Sequence, residues 1–227
     1  MKQRLLLFIT ALMLCIGARA TTIQVIDGLK YIIYTDQNYA VLTGNKYTQR
    51  EIVIPASITW EGKKYHVTEL GAKSFFDCSN LTSVTIPSSV TRLGQSCFYS
   101  CGLTSVTIPS SVTSLGERCF ENCRGLTSVT IPSSVTRLGG LCFTNCKNLA
   151  SINIPSSVKS LGEYCFWGCS SLASVTIPLS VTSLGSGCFS SCSSLKSVTI
   201  PSSVTSLGEK CFPDFVIVSP KNLRQRV

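Results

Sequence analysis

Cysteine is the residue type whose number and spacing in this 227-residue chain first suggest chemistry, and there are 13 of them. All but Cys15 fall in two columns, one directly before a phenylalanine and one four residues further on, as in Cys119-Phe120 with Cys123 and Cys142-Phe143 with Cys146. An exported chain so rich in cysteine ordinarily carries disulfides. Here the columns argue for another state. Neighbours in one column, on successive repeats, should stand about 5 Å apart and point the same way. Disulfides join Cβ atoms about 3.5–4.5 Å apart. Zinc sites gather C-x₂₋₄-C units from converging loops, and a linear row of C-x₃-C does not converge. The favoured reading is two ladders of buried thiols acting as small hydrophobes. Some disulfides are the second reading and a metal site the third.

Other catalytic residue types are sparse. His66 is the only histidine, so a Ser-His-Asp or Cys-His system has one possible base. It lies in Lys64-Tyr65-His66-Val67, where a surface or packed histidine is the better reading. Glu117, Glu163 and Glu209 share one register, which suits a solvated stripe better than a paired acid and base. There is no phosphate-cradling glycine loop. The expectation is a protein that is not an enzyme and holds no cofactor or metal.

The elements that would position these residues are repeats. Leu81, Leu103, Leu126, Leu149, Leu172 and Leu195 open the same phrase at steps of 22, 23, 23, 23 and 23 residues. One copy reads LTSVTIPSSVTSLGERCFENC, from Leu103 to Cys123. Val106 and Ile108 alternate with Ser105 and Thr107, the period of a strand with one buried face. Pro109 ends the ladder because it has no N–H to donate. Val112 and Leu115 point inward on the return path, and Gly116 allows a tight corner. Cys119, Phe120 and Cys123 suit one short helical turn. Such copies are stable when stacked, each covering its neighbours' apolar faces.

The ends differ from the interior. Lys2 and Arg4, the apolar run Leu5–Ile16 and the small-x-small Ala18-Arg19-Ala20 read as a signal peptide over 1–20, cleaved after Ala20. Cys15 follows Leu14 and does not form a lipobox. No later stretch reads as a transmembrane helix. Residues 21–50 form an N-terminal β cap, with Asp27-Gly28 between two alternating runs as a hairpin signal. A repeat region over 51–215 follows: a degenerate first copy at 51–80 with a hairpin-like insertion at Trp60–Tyr65, regular copies at 81–194, and an incomplete copy at 195–215. A closing strand and basic tail occupy 216–227. Losing Lys2, Arg4 and Arg19 leaves 20 − 3 = 17 basic residues against 11 acidic ones, or +6. The basic residues are scattered, so a nucleic-acid surface is not expected.

The phrase LTSVTIPSSVTSLGERCFENC resembles the repeat of the BspA-like leucine-rich-repeat family over about residues 50–215. The lead-in IDGLKYIIYTDQNYAVLTGNKY is similar to that family's usual start. The resemblance implies an α/β fold: a right-handed leucine-rich-repeat solenoid of 22–23-residue repeats. It would carry a parallel sheet on one side, short helical turns on the other and an N-terminal β-hairpin cap. It also implies an exported, secreted or surface-attached bacterial protein. Its work would be adhesion, with fibronectin- or fibrinogen-like proteins or glycans as partners. The chain departs from the family's pattern where alanine usually precedes the helical phenylalanine: here it is Cys97, Cys119, Cys142, Cys165, Cys188 and Cys211.

Two surfaces are candidates for binding. The first is the outward strand face, an uncharged lattice that includes Ser105, Thr107, Ser128, Thr130, Ser151, Asn153, Ser174 and Thr176. It reads either as a solvated face selected for β propensity or as a platform for glycans or extended peptides. The second is the side after each phenylalanine, where Tyr99, Glu121, Thr144, Trp167 and Ser190 vary. Trp167 beside Tyr164 would anchor an interface there. The other function considered is a structural or decoy surface component without a tight ligand.

Overall fold

The computed structural model describes residues 21–44 and 46–219. The expected signal peptide at 1–20 and the tail beyond Ser219 lie outside the described residues. In the repeats from Ile52 to Val198 the first strand is three residues long, with the middle one facing inward. Val106 is 5% exposed in Ser105–Thr107, while Ser105 and Thr107 face solvent. Equivalent strands are Glu51–Val53, Ser83–Thr85, Ser128–Thr130, Ser151–Asn153, Ser174–Thr176, Ser197–Thr199 and Ile217–Ser219. Their pairings are parallel and bring like positions together, Ser105 opposite Ser128 and Thr107 opposite Thr130. From Pro87 to Pro201 the proline that follows the triplet is followed by a turn, as in Val112 N–H to Pro109 O at 3.0 Å.

A second parallel stack runs along the return path. It is made of two-residue strands at Arg92–Leu93, Ser114–Leu115, Arg137–Leu138, Ser160–Leu161, Ser183–Leu184 and Ser206–Leu207. Between the two stacks, the serine before the valine of each P-x-S-V phrase hydrogen-bonds the previous coil. Ser89, Ser111, Ser134, Ser157, Ser180 and Ser203 each donate to a valine carbonyl at 2.5–2.9 Å. These hydroxyls join the coils where backbone pairing is interrupted.

On the third side the expected short helical turns are absent: among the described residues there is no helix. The residue before each column cysteine has a positive φ, as at Arg118 (57°) and Asn122 (60°) in one coil and Leu141 (57°) and Asn145 (58°) in the next. Two left-handed residues in every five exclude a right-handed helix. Hydrogen bonding gives the reason. Alternate N–H groups bond three residues back and to the following coil: Cys123 N–H goes to Phe120 O (3.2 Å), whereas Phe120 N–H goes to Cys142 O (2.8 Å). Bonds between coils take the donors a helix would keep, and five residues are too few to nucleate one. The right-handed solenoid thus has about seven turns, with two parallel stacks and one column of linked turns.

The first strands form an antiparallel unit at the N-terminal end. Strand β1 (Thr21–Ile26) pairs with β2 (Leu29–Tyr34) through Asp27 and Gly28, both at positive φ, and β2 pairs with β3 (Tyr39–Leu42). Following β4 (Glu51–Val53), β5 (Ser57–Trp60) and β6 (Lys63–Leu70) make a hairpin over Glu61-Gly62, again with positive φ at both residues. Strand β3 then pairs in parallel with β6, which starts the second stack. Tyr47 fastens this end. Its hydroxyl accepts from Lys30 N–H and donates to Thr43 O, both at 3.1 Å.

A column of phenylalanines fills the interior. Phe75, Phe98, Phe120, Phe143, Phe166, Phe189 and Phe212 stack with centroids 5.1–5.5 Å apart and ring planes within 7° of parallel. Tyr47 packs on Phe75 at 5.2 Å and extends the column into the N-terminal unit. Gly116 does not adopt a positive φ, so the corner does not depend on glycine's backbone freedom. A Cβ there would lie 2.5 Å from both Gln95 N and Gly94 C. Glycine is required because successive coils approach too closely for a side chain.

Candidate functional site

The strand lattice is a continuous, solvent-facing surface. Ser105, Thr107, Ser128, Thr130, Ser151, Asn153, Ser174 and Thr176 are all exposed. Register aligns them in two rows, with Thr130 opposite Asn153, Ser151 opposite Ser174 and Asn153 opposite Thr176. No charged residue interrupts the rows between Ser83 and Thr176. Such a face offers regularly spaced hydroxyl donors and acceptors along the solenoid. A shallow groove of about 310 Å³ lies over its first coils, between Ser83–Ile86 and Ser105–Pro109.

The side after the phenylalanines is less uniform than the sequence suggests. Trp167 is exposed, Tyr99 and Ser190 are half-buried, and Glu121 and Thr144 are buried. Thr144 Oγ1 donates to Tyr164 O. The Glu121 carboxylate lies 3.5 Å from Arg118 Nη1, and burial raises its pKa while Arg118 opposes the shift. Both residues are therefore part of the turn packing, and the freely varying surface column contains two structural positions. Tyr164 is 43% and Trp167 36% exposed, in the same turn. Tyr164 and Trp167 do not stack; the Tyr164 ring instead lies over Gly187 of the next coil, where an added Cβ would come within 2.4 Å of Cε1.

Two features of this side were not singled out from sequence. Phe76, 41% exposed, stacks on Tyr99 at 4.7 Å, with Lys73 Nζ 5.5 Å from its centroid. A cleft of about 630 Å³ opens beside them, lined by Tyr47, Lys73, Phe76 and Asp77. The second feature is the surroundings of Tyr164, a cleft that Glu163 and Glu209 both line. The signal for both was available: they are departures from the repeat consensus at positions equivalent in every coil.

The twelve described cysteines are buried free thiols. From Cys101 to Cys192 in the second column Sγ donates to the phenylalanine carbonyl of the preceding coil, at 2.9 Å for Cys101–Phe75, 3.0 Å for Cys123–Phe98 and 3.2 Å for Cys146–Phe120. Removal from water holds these thiols well above the ordinary range, to about 12 at Cys123 and Cys192. A thiol so raised is a poor nucleophile and a poor metal ligand at neutral pH. Among the described residues no group of three or more His, Cys, Asp or Glu is arranged to hold a metal ion. His66 is exposed on β6, opposite Ser57 of β5 and Tyr39 of β3. Glu117, Glu163 and Glu209 are exposed along one register. No helix of the described residues is long and apolar enough to cross a membrane.

Comparison with known proteins agrees with this architecture. The chain is similar to a leucine-rich repeat protein from Bacteroides ovatus, at 26% identity and a TM-score of 0.58, over 83% of this chain and 62% of that one. It is also similar to the leucine-rich repeat protein of T. pallidum, at 24% identity and a TM-score of 0.50, over 84% of this chain and 83% of that one. No curated protein is significantly similar in sequence. This family and fold are typically non-enzymatic binding modules. A family model for the BspA type leucine rich repeat region matches in six copies, over residues 56–172 and 91–219. The chain belongs to the BspA-type leucine-rich-repeat family.

Proposed function

We propose that this protein is an exported interaction module that adheres to extracellular proteins, glycans or other cells and catalyses no reaction. The observation that carries the reading is the strand lattice: exposed, uncharged hydroxyl and amide side chains held in register from Ser105/Thr107 to Ser174/Thr176. Rigid repetition keeps such a face preorganised, so little ordering is lost on binding. Tyr164 and Trp167 supply a second, aromatic surface. Export rests on the leader-like residues 1–20 with cleavage after Ala20. The proposed organisation has a cap at 21–50, a solenoid at 51–215 and a closing strand with a basic tail at 216–227. Family resemblance directs attention to fibronectin- and fibrinogen-like ligands.

The test is binding of purified 21–227 to immobilised fibronectin, fibrinogen, mucin and heparin, at low and physiological salt. Saturable binding to at least one, resistant to salt and weakened by Trp167→Ala or by Thr107→Ala with Thr130→Ala, is the expected result. Weak binding to all four that disappears with salt would show that net positive charge alone was responsible. A structural or decoy surface component would then be the better description.

A further inference from the structure

Tyr164, Gly187 and two carboxylates make a local departure from the repeat. The position before the first column cysteine is occupied in successive coils by Ser96, Arg118, Leu141, Tyr164, Gly187 and Lys210, with Lys73 before Ser74 at the equivalent place in the first coil. Glycine occurs there once. Its missing side chain leaves the space into which the Tyr164 ring is laid: a Cβ on Gly187 would lie 2.4 and 2.5 Å from ring atoms Cε1 and Cδ1. The ring remains 43% exposed. It borders an open cleft of about 450 Å³ that Glu163, Ser186, Ser190, Glu209 and Lys210 also line. Glu163, Ser186 and Glu209 occupy the same position in three consecutive coils, so the two carboxylates flank a serine. Among the described residues no ion pair joins Glu163 or Glu209 to Lys210.

We infer that this cleft is a saccharide-binding subsite in which a sugar ring stacks on Tyr164 and its hydroxyls bond Glu163, Glu209 and Lys210. The inference rests on the interaction-module reading and names a partner class for it. The lining decides among ligand chemistries. An apolar segment would cover two carboxylates and an ammonium without satisfying them. A lysine or arginine side chain would meet the carboxylates but also the charge of Lys210. A neutral polyol both donates and accepts, which matches a lining with acceptors at Glu163 and Glu209 and donors at Lys210, Ser186 and Ser190. Its C–H face is the natural complement of an exposed phenol ring. The cleft suits one or two sugar units and leaves a chain free to continue toward solvent.

The experiment uses intact 21–227 at physiological salt, titrated with N-acetyllactosamine, chitotriose and mannotriose by calorimetry and saturation-transfer-difference NMR. At least one should bind, with saturation transfer strongest on the C–H protons of one sugar ring. Tyr164→Ala should weaken that binding about tenfold, as should Gly187→Leu, which displaces the ring while keeping the tyrosine. Leu179→Ser, at an exposed site outside the cleft, should leave it unchanged. If circular dichroism shows that either variant at the ring has lost the fold, Glu163→Gln and Glu209→Gln decide, each with an expected weakening of several-fold. Absence of binding to all three sugars overturns the proposal. So does sugar binding indifferent to Tyr164→Ala and to both glutamine variants, or preferential capture of acetyl-arginine-amide. Saturable binding to deglycosylated fibronectin that Tyr164→Ala leaves intact would sustain the interaction module and, without sugar binding, remove the saccharide site.

Discussion

Gly162→Ala tests the close approach of the coils, because conformational and steric arguments give opposite signs. Gly162 is outside the left-handed region. If backbone conformation were the only factor, alanine would restrict the unfolded chain and stabilise the protein by about 0.4–1 kcal/mol. The packing predicts the reverse. A Cβ on Gly162 would lie 2.5 Å from Gly140 N and 2.6 Å from Gly139 C, where ordinary contact starts at 3.4 Å. The coils must separate locally by 3.4 − 2.5 = 0.9 Å, since the obstruction is backbone and no rotamer relieves it. Overpacking of this kind costs about 1–3 kcal/mol. The Gly162 N–H to Leu138 O bond, 3.0 Å long, spans the displaced coils, and weakening it adds about 0.5–1.5 kcal/mol. The expected loss is about 2–4 kcal/mol. Urea unfolding of 21–227, followed by the fluorescence of Trp60 and Trp167, should show the midpoint falling by about 1 M or more at an unchanged slope. Gly139→Ala, with its nearest contact at 3.3 Å, should fall much less. An unmoved or raised midpoint for Gly162→Ala would refute the steric reasoning.

Phe143 is fully buried between Phe120 at 5.3 Å and Phe166 at 5.4 Å, so Phe143→Ala should cost about 3–5 kcal/mol in the same assay; a loss below about 1 kcal/mol would deny the stacked column its role. Iodoacetamide without reductant should leave folded 21–227 unlabelled and add twelve labels after unfolding, by intact mass. Fewer than twelve would establish disulfides. Burial raises the Glu121 carboxyl pKa in the folded state, so the folded protein binds a proton more strongly than the unfolded chain, and stability falls as pH rises from the unfolded pKa through the folded one. Glu121→Gln should therefore raise the melting temperature at pH 7, by under about 1 kcal/mol in stability, and the gain should shrink at pH 4; a larger gain at pH 4 would contradict the sign. Deletion of 126–148 removes one coil and should leave a folded protein by circular dichroism, because each coil contacts its neighbours alone. Loss of the folded signal would show that coils are not interchangeable.

The period, the family and the inward positions were legible in the sequence because each depends on chemistry repeated at fixed spacing. Val106, Ile108, Val112, Leu115, Cys119, Phe120 and Cys123 are buried, while Ser105 and Thr107 face solvent. Strand alternation and the burial of leucine and phenylalanine are local properties of side chains, so they can be read from one copy. The second parallel stack, the non-helical turns and the serine ladder are decided elsewhere. Cys119, Phe120 and Cys123 have the apolar spacing of a helical turn. The N–H of Phe120 nevertheless bonds Cys142 O 22 residues away, and that partner exists once the next coil is in place. Glu121 and Thr144 are likewise polar residues at variable positions, yet neighbouring coils bury them. The cleft at Tyr164 depends on Gly187, 23 positions further along, being bare. Sequence by itself determined which residues turn inward and how often. Tertiary structure decided where the backbone donors go and which surface side chains meet, because hydrogen bonds between coils and contacts across them join residues that no single repeat contains.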